Sequence, residues 1–313
     1  MRIGSIAQHA NIQRNTRLGY DEFANQVNGR LNNWPIYAWW DFTDPTAVNG
    51  GSGFESTTSN LQQCDDKGPS DQDLNTAETD KGPRWVNIPG TTNQDDYWFT
   101  YTEDGNNDYM QWTSTKTLNS RNFTMMFVFD TTLSTVASDQ HILSIHGDGN
   151  HKLMFYIEDD DNNFAISHYQ GSSVYNTYHA TTAVADLGKK ASGDGNDNFN
   201  WIYITGNSNG VPKMYIRGNE VPLEAVVGGV FPDKDFEVDK NNLLFQHSAT
   251  SDFEARQFMG AMYEILIYNQ SLTDNDLKQL DHYIKEKYRT YAYGRINGYA
   301  LDGTTGGDNV WPT

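Results

Sequence analysis

Cleaving a glycosidic bond takes two carboxylates on one face, and on a strand that means acids at even spacing. Glu158-Asp-Asp-Asp161 is the nearest match in composition. It falls at a predicted hairpin turn, with no same-face pair inside a strand, and reads as a solvated turn. Glu264, in Met-Tyr-Glu-Ile-Leu-Ile, is a lone carboxylate in an apolar strand. It reads as a structural, hydrogen-bonded group, since buried carboxylates need partners. The chain has no Gly-x-Ser-x-Gly elbow, no phosphate loop and no His-Glu-x-x-His, the arrangements that serve acyl transfer, nucleotide binding and zinc hydrolysis. The single cysteine, Cys64 in Leu-Gln-Gln-Cys-Asp-Asp, excludes an intramolecular disulfide and a Cys-rich zinc site. Its acidic neighbours would raise its pKa, so it reads as a structural or loop thiol.

Binding chemistry is better represented. Calcium takes oxygen ligands from Asp, Asn and backbone carbonyls. Four acidic turns offer them: one with Asp104 and Asp108, one with Asp148, one with Asp159, Asp160 and Asp161, and one with Asp194 and Asp197. None completes an EF-hand loop, so no cofactor is fixed by a motif, and Ca2+ is the cation these turns would take. His146 and His151 bracket Gly-Asp-Gly-Asn, which reads as a turn. Sugar binding asks for aromatic faces beside amides and hydroxyls. Tyr169, Tyr175, Tyr178 and His179 lie in a Ser/Asn/Thr-rich stretch, and Trp98 and Tyr101 flank a polar turn. These six are the glycan-contact candidates, although alternating aromatics also build cores.

The elements that must position these groups are short strands. The chain has 313 residues, with 41 acidic against 22 basic side chains and a net charge of −19. That balance argues against nucleic acid as a partner, because phosphate binding needs a basic surface. No apolar run reaches the roughly 18–20 residues of a membrane span. The opening ten residues have no apolar h-region and no cleavage-site pattern, so no secretory signal is read there.

Residues 1–33 carry four arginines against two acids, a net of +2. Tyr20, Phe23, Val27 and Leu31 fall at helical spacing, and with Arg14 and Arg17 they form an expected docking arm. From residue 34 to 290, strand-like runs alternate with polar turns. Ile36-Tyr-Ala-Trp-Trp-Asp-Phe42 and Phe123-Thr-Met-Met-Phe-Val-Phe129 are the most apolar. Two hairpins are legible, 153–158 with 163–168 and 201–205 with 213–217, the second turning on Asn207-Ser-Asn-Gly210. Residues 46–84 read as a long polar surface excursion. One helix is expected over 274–288, with Thr273 as N-cap, Asp276 closing a capping box, and Leu277, Leu280, Ile284 and Tyr288 as its buried stripe. A Gly-rich tail covers 291–313. The pattern predicts an all-β, two-sheet antiparallel sandwich with a C-terminal capping helix and a short N-terminal helical arm.

Gly260-Ala-Met-Tyr-Glu-Ile-Leu-Ile-Tyr-Asn-Gln-Ser-Leu-Thr-Asp, running into the helix, resembles the closing segment of LamG-type concanavalin A-like domains. Trp39-Trp-Asp-Phe-Thr-Asp-Pro45 looks like that family's opening strand. The resemblance covers residues 34–290 and implies a jelly roll. It does not fix a function, because the fold hosts lectins, glucanases and structural modules. Its laminarinase-like members carry Glu-x-Asp-x-x-Glu on one strand, a motif missing here. A recognition fold without signal, anchor or disulfide is expected of a protein made in a host cytoplasm and carried at the surface of a bacteriophage virion. The expected role is a non-catalytic capsid decoration, knob or fibre subunit. Its partners would be other virion proteins, further copies of itself and surface glycans, with neither nucleic acid nor membrane. A soluble, calcium-assisted lectin is the alternative. A glycoside hydrolase is a third reading, and it lacks its paired carboxylates.

Overall fold

The computed structural model describes residues 35–44, 47–48, 58–76, 82–88, 97–102, 108–131, 139–148, 151–159, 162–170, 174–183, 199–246, 257–258 and 260–288. Residues 1–33, with Arg14, Arg17, Tyr20, Phe23, Val27 and Leu31, and the tail 291–313 lie outside them.

Two antiparallel nine-stranded sheets make the sandwich. The helix-side sheet runs β16 (Asn219–Val221), β15 (Lys213–Ile216), β14 (Phe199–Thr205), β9 (Thr124–Thr131), β20 (Gly260–Tyr268), β6 (Tyr97–Thr102), β5 (Arg84–Ile88), β2 (Thr58–Asn60). Its ninth strand, β1 (Ile36–Asp41), shares an edge of β20 with β6: β6 pairs at 260–262 and β1 further along, at 264–268. The far sheet runs β17 (Leu223–Val227), β13 (Val174–Ala183), β12 (Asn163–Gln170), β11 (Lys152–Ile157), β10 (Gln140–His146), β19 (Asn241–Leu244), β7 (Met110–Thr113), β4 (Leu74–Asn75), β3 (Gln63–Cys64). A small ribbon pairs β8 (Leu118–Asn119) with β18 (Asp235–Phe236).

Alternation along each strand sends one set of side chains between the sheets. Trp40 of the helix-side sheet meets Trp112 of the far sheet edge-on at 4.7 Å, and Phe127 meets Phe155 at 4.7 Å. Such aromatic pairs bury large areas and explain how a chain so rich in polar residues holds a core. The hairpin turn at Asn207–Gly210 closes as expected. Gly210 has φ +78°, and a Cβ there would strike the carbonyl oxygen of Phe231.

The other face of the helix-side sheet is covered by α1 (Asp274–Lys287). Thr273 caps it with the reciprocal Thr273–Asp276 box, as the sequence implies. Leu277, Leu280, Ile284 and Tyr288 are buried, and Tyr283 joins them. Their neighbours on the sheet are Trp39, Met126, Val128 and Tyr203.

Residues 46–84 differ from the expected surface excursion. Within their described part, Leu61, Cys64 and Leu74 are fully buried, and the chain forms β2, β3 and β4. The Asp66 carboxylate replaces missing ladder bonds by accepting from the backbone N–H of Trp39, Gly68 and Gln72. Burial pushes the Cys64 thiol well up, and Asp41 and Asp65 add to the rise. This is a structural thiol. No helix among the described residues is long and apolar enough to cross a membrane.

Candidate functional site

Asp41 and Glu264 are carboxylates brought together by the fold, register partners on β1 and β20. Both are buried under α1. Glu264 Oε1 accepts from Trp39 Nε1 at 2.7 Å and Tyr283 Oη at 2.8 Å. Its Oε2 accepts from Lys287 Nζ at 2.9 Å and Tyr288 Oη at 2.8 Å. Lys287 also donates to Asp41 Oδ2 at 2.8 Å, and Lys67 does so at 3.1 Å. Burial pushes the Asp41 carboxyl up, but Lys287 and Lys67 outweigh it and hold it well below the usual carboxylate range. Every lone pair of Glu264 that geometry can reach is spoken for, so this pair pins a helix to a sheet. The structural reading of Glu264 made from its sequence context holds.

The far sheet turns a different surface outward. Registers across β10–β13 define three neighbouring rows. The first is His146, Lys152, Tyr169 and Tyr175; the second is Ser144, Met154, Ser167 and Thr177. The third is His141, Tyr156, Ala165 and His179, which continues to Glu224 on β17. Tyr156 Oη, Ser167 Oγ and Thr177 Oγ1 form a chain of hydrogen bonds at 2.9 and 2.8 Å. The His141 ring stacks on Tyr156 with centroids 5.1 Å apart. His179 Nδ1 meets Glu158 Oε2 at 2.9 Å, and its Nε2 lies 3.8 Å from Glu224. Burial pushes the Tyr156 phenol up to about 12 and lowers the Lys152 ammonium. Ser144 is fully buried in the middle row, and among the described residues its hydroxyl has no hydrogen-bond partner. The half-buried groups of this face, the Tyr169 phenol, the His146 and His179 imidazoles and the Lys152 ammonium, are of the kinds that exchange hydrogen bonds with a polyhydroxylated ligand and stack on its apolar ring faces; the hydroxyls between them are buried.

Strand parity divides the glycan candidates. Tyr169, Tyr175 and His179 belong to these rows. Tyr178, on the other face of β13, is buried, packs edge-on against Phe231 and donates its hydroxyl to the Gly229 carbonyl. Burial raises its pKa. Trp98 and Tyr101 sit on β6 of the opposite sheet, so the fold does not bring them to the Tyr169 group. Their side chains, like that of Tyr175, lie outside the described ones.

Among the cation candidates, Asp104, Asp160, Asp161, Asp194 and Asp197 fall outside the described residues. Asp108 is buried, and its N–H donates to Gln257 Oε1. Asp159 is exposed, and its N–H donates to Asp139. Asp148 shares a hydrogen bond with Glu237, which lowers the Asp148 pKa and raises that of Glu237, and it is ion-paired to Lys240. An ammonium thus already sits on the carboxylate that calcium would take. The described residues contain no group of three His, Cys, Asp or Glu side chains placed to hold a metal.

One concavity carried no motif in the sequence. A cleft of about 580 Å3 opens between the β14–β15 turn, the segment before β9 and the start of α1. Arg121, Asn207, Ser208, Lys213, Tyr215 and Asp274 line it. Tyr215 donates to Asp274 Oδ1 at 3.2 Å. Only the turn and the helix cap were visible in the sequence here; their convergence is a product of the fold.

No protein-family model matches the chain, and no curated protein sequence does. Solved structures share its fold. The botulinum neurotoxin serotype G binding domain superposes with a TM-score of 0.51 at 11% identity, over 79% of this chain and 50% of that one. The binding domain of Paraclostridial Mosquitocidal Protein 1 gives 0.50 at 12% identity, over 79% and 52%. A second structure of the type G receptor binding domain gives 0.50 at 10% identity, over 79% and 51%. The chain spans about half the length of each, and identity this low shows the fold alone.

Proposed function

We propose that this chain is a non-catalytic recognition protein that offers the outer face of its far sheet to surface glycans. We propose further that it is a LamG-like structural subunit on a bacteriophage particle, as a decoration, knob or fibre. The observation that carries the recognition reading is the three-row face of β10–β13. Its half-buried groups, His146, Lys152 and His179, lie on the same face as Tyr169, on the side of the sandwich away from α1. The solved structures that share the fold are binding domains, which agrees in kind. The non-catalytic reading rests on Asp41 and Glu264, the register-paired carboxylates, whose oxygens are occupied by Lys287, Lys67, Trp39, Tyr283 and Tyr288. The virion reading rests on the sequence: an acidic recognition fold with a basic arm, without disulfides.

Two experiments test the two halves. A glycan array probed with the chain and with Tyr169→Ala should give a defined set of binders that the variant loses. An array without binders would remove the recognition face. Mass spectrometry of purified particles from the source should find the chain at a fixed copy number against the major shell protein. Its absence from particles would remove the virion role and leave a free lectin.

A further inference from the structure

The far sheet belongs to a chain of net charge −19, yet much of its outer face carries no acid. The first two rows, those of His146 and Ser144, contain neither Asp nor Glu. The same face continues into β19 and β7 through the pairs Leu243–Gln111 and Asn241–Thr113, again without a carboxylate. Lys152 is the cation of the first row. Its side chain is half-buried, between His146 on β10 and Tyr169 on β12. Lys67, Lys213, Lys240, Lys285 and Lys287 each reach an Asp or Glu. Lys152 differs from them. Among the described residues it has no carboxylate partner, and burial lowers its pKa with no acid to oppose the fall. Asp148, the nearest acid in sequence, is already paired with Lys240. A partly desolvated ammonium without a counter-charge carries a cost that an anion can remove.

We infer that the ligand of this face is an acidic glycan, and that its carboxylate or sulfate group docks on Lys152. The inference rests on the recognition reading above and narrows it. The ammonium offers three donors, and hydrogen bonds to an ionised acceptor are roughly twice as strong as neutral ones. A neutral sugar would leave the ammonium without a counter-charge. The face also sets the direction of the ligand. Glu158 and Glu224 flank His179 in the third row. On β11 that row, at Tyr156, stands four residues from Lys152, roughly 13 Å at the rise of a strand. The distance exceeds the Debye length of about 8 Å at physiological salt, so these two acids do not cancel the charge of Lys152. They repel an anion at their own end and favour the orientation that puts the acidic group beside His146 and Tyr169.

An array of carboxylated, sulfated and neutral oligosaccharides, with carboxyl-reduced and desulfated forms of the acidic ones, tests this on the full chain. The binders should be acidic, and their reduced or desulfated forms should bind at least tenfold more weakly. Which treatment abolishes binding tells carboxylate from sulfate. Lys152→Met should bring the acidic binders down to the level of their neutral forms, and Lys152→Arg should keep them. The methionine removes an unpaired charge and retains the apolar stem, so the melting temperature should hold or rise. Binders that are neutral, or acidic binders indifferent to Lys152→Met, would overturn the inference and leave the recognition face standing. An array without binders would remove both.

Discussion

On the helix-side sheet, Glu264 accepts four hydrogen bonds and Lys287 ties it to Asp41 beneath α1. On the far sheet, Tyr156, Ser167 and Thr177 hold one another, His179 reaches Glu158, and the Ser144 hydroxyl is left over. Both outer faces carry polar groups on the same kind of ladder. The first is buried throughout under α1, and the second keeps half-buried polar side chains, Tyr169, Lys152, His146 and His179, at the surface. A buried charge must be satisfied internally or it costs several kcal/mol, so saturation marks scaffold. On the far sheet the Tyr156, Ser167 and Thr177 hydroxyls are buried and bonded among themselves, and the half-buried Tyr169, Lys152, His146 and His179 are the groups a ligand can reach.

The largest test of that contrast is Lys287→Met. It strands Asp41 and Glu264 without their shared cation, and the expected loss is about 3–5 kcal/mol in a urea melt. Glycan binding by the folded fraction should be unchanged. A loss below about 1 kcal/mol would mean that the network does not secure α1.

Next comes His168, on the inner side of β12, fully buried between Phe231 and Phe236, with neither ring nitrogen bonded among the described residues. Burial, then the nearby His151, lower its pKa to about 4. The unfolded chain therefore binds a proton that the native chain refuses. Stability is full above the unfolded pKa of about 6.5 and declines as pH falls, levelling off near pH 4, by about 3 kcal/mol in all. Urea melts at steps through that window should show the slope, and His168→Leu should remove it. An unchanged slope in the variant would assign the acid sensitivity elsewhere.

A smaller effect is expected from Tyr169→Ala. Affinity for an array-selected glycan should drop about tenfold, near 1.4 kcal/mol, while the urea midpoint stays put. A variant that loses stability and keeps affinity would reverse the assignment of the two faces. The smallest effect belongs to Ser144→Ala. Removing an unpartnered buried hydroxyl should be neutral or stabilise by up to about 1 kcal/mol. A clear destabilisation would show that this hydroxyl already has a partner in solution.

Local pattern carried much of the fold. The Thr273–Asp276 box and the stripe at Leu277, Leu280, Ile284 and Tyr288 are short-range signals, and they fix α1. Period-2 runs located β1, β9, β11, β12 and β14. Cys64 reads from its neighbours as a structural or loop thiol, but the burial of Leu61 and Leu74 beside it escaped notice because isolated apolar residues among polar ones set up no period. The site was legible in part. Tyr169, Tyr175 and His179 stood out by type, yet parity alone separates Tyr178 from Tyr175 and His179, and the composition-based grouping ignored it. Pairings such as Lys287 with Asp41, 246 residues apart, have no local signature. Neither does the stack of four strands that assembles the rows.

Hydrogen exchange of the chain with and without an array-selected glycan tests the central claim most directly. Ligand should slow exchange in peptides covering 152–157, 163–170 and 174–183, and leave 274–287 unchanged. Protection confined to α1, or to the cleft around Arg121 and Tyr215, would contradict the assignment of the far sheet as the recognition face.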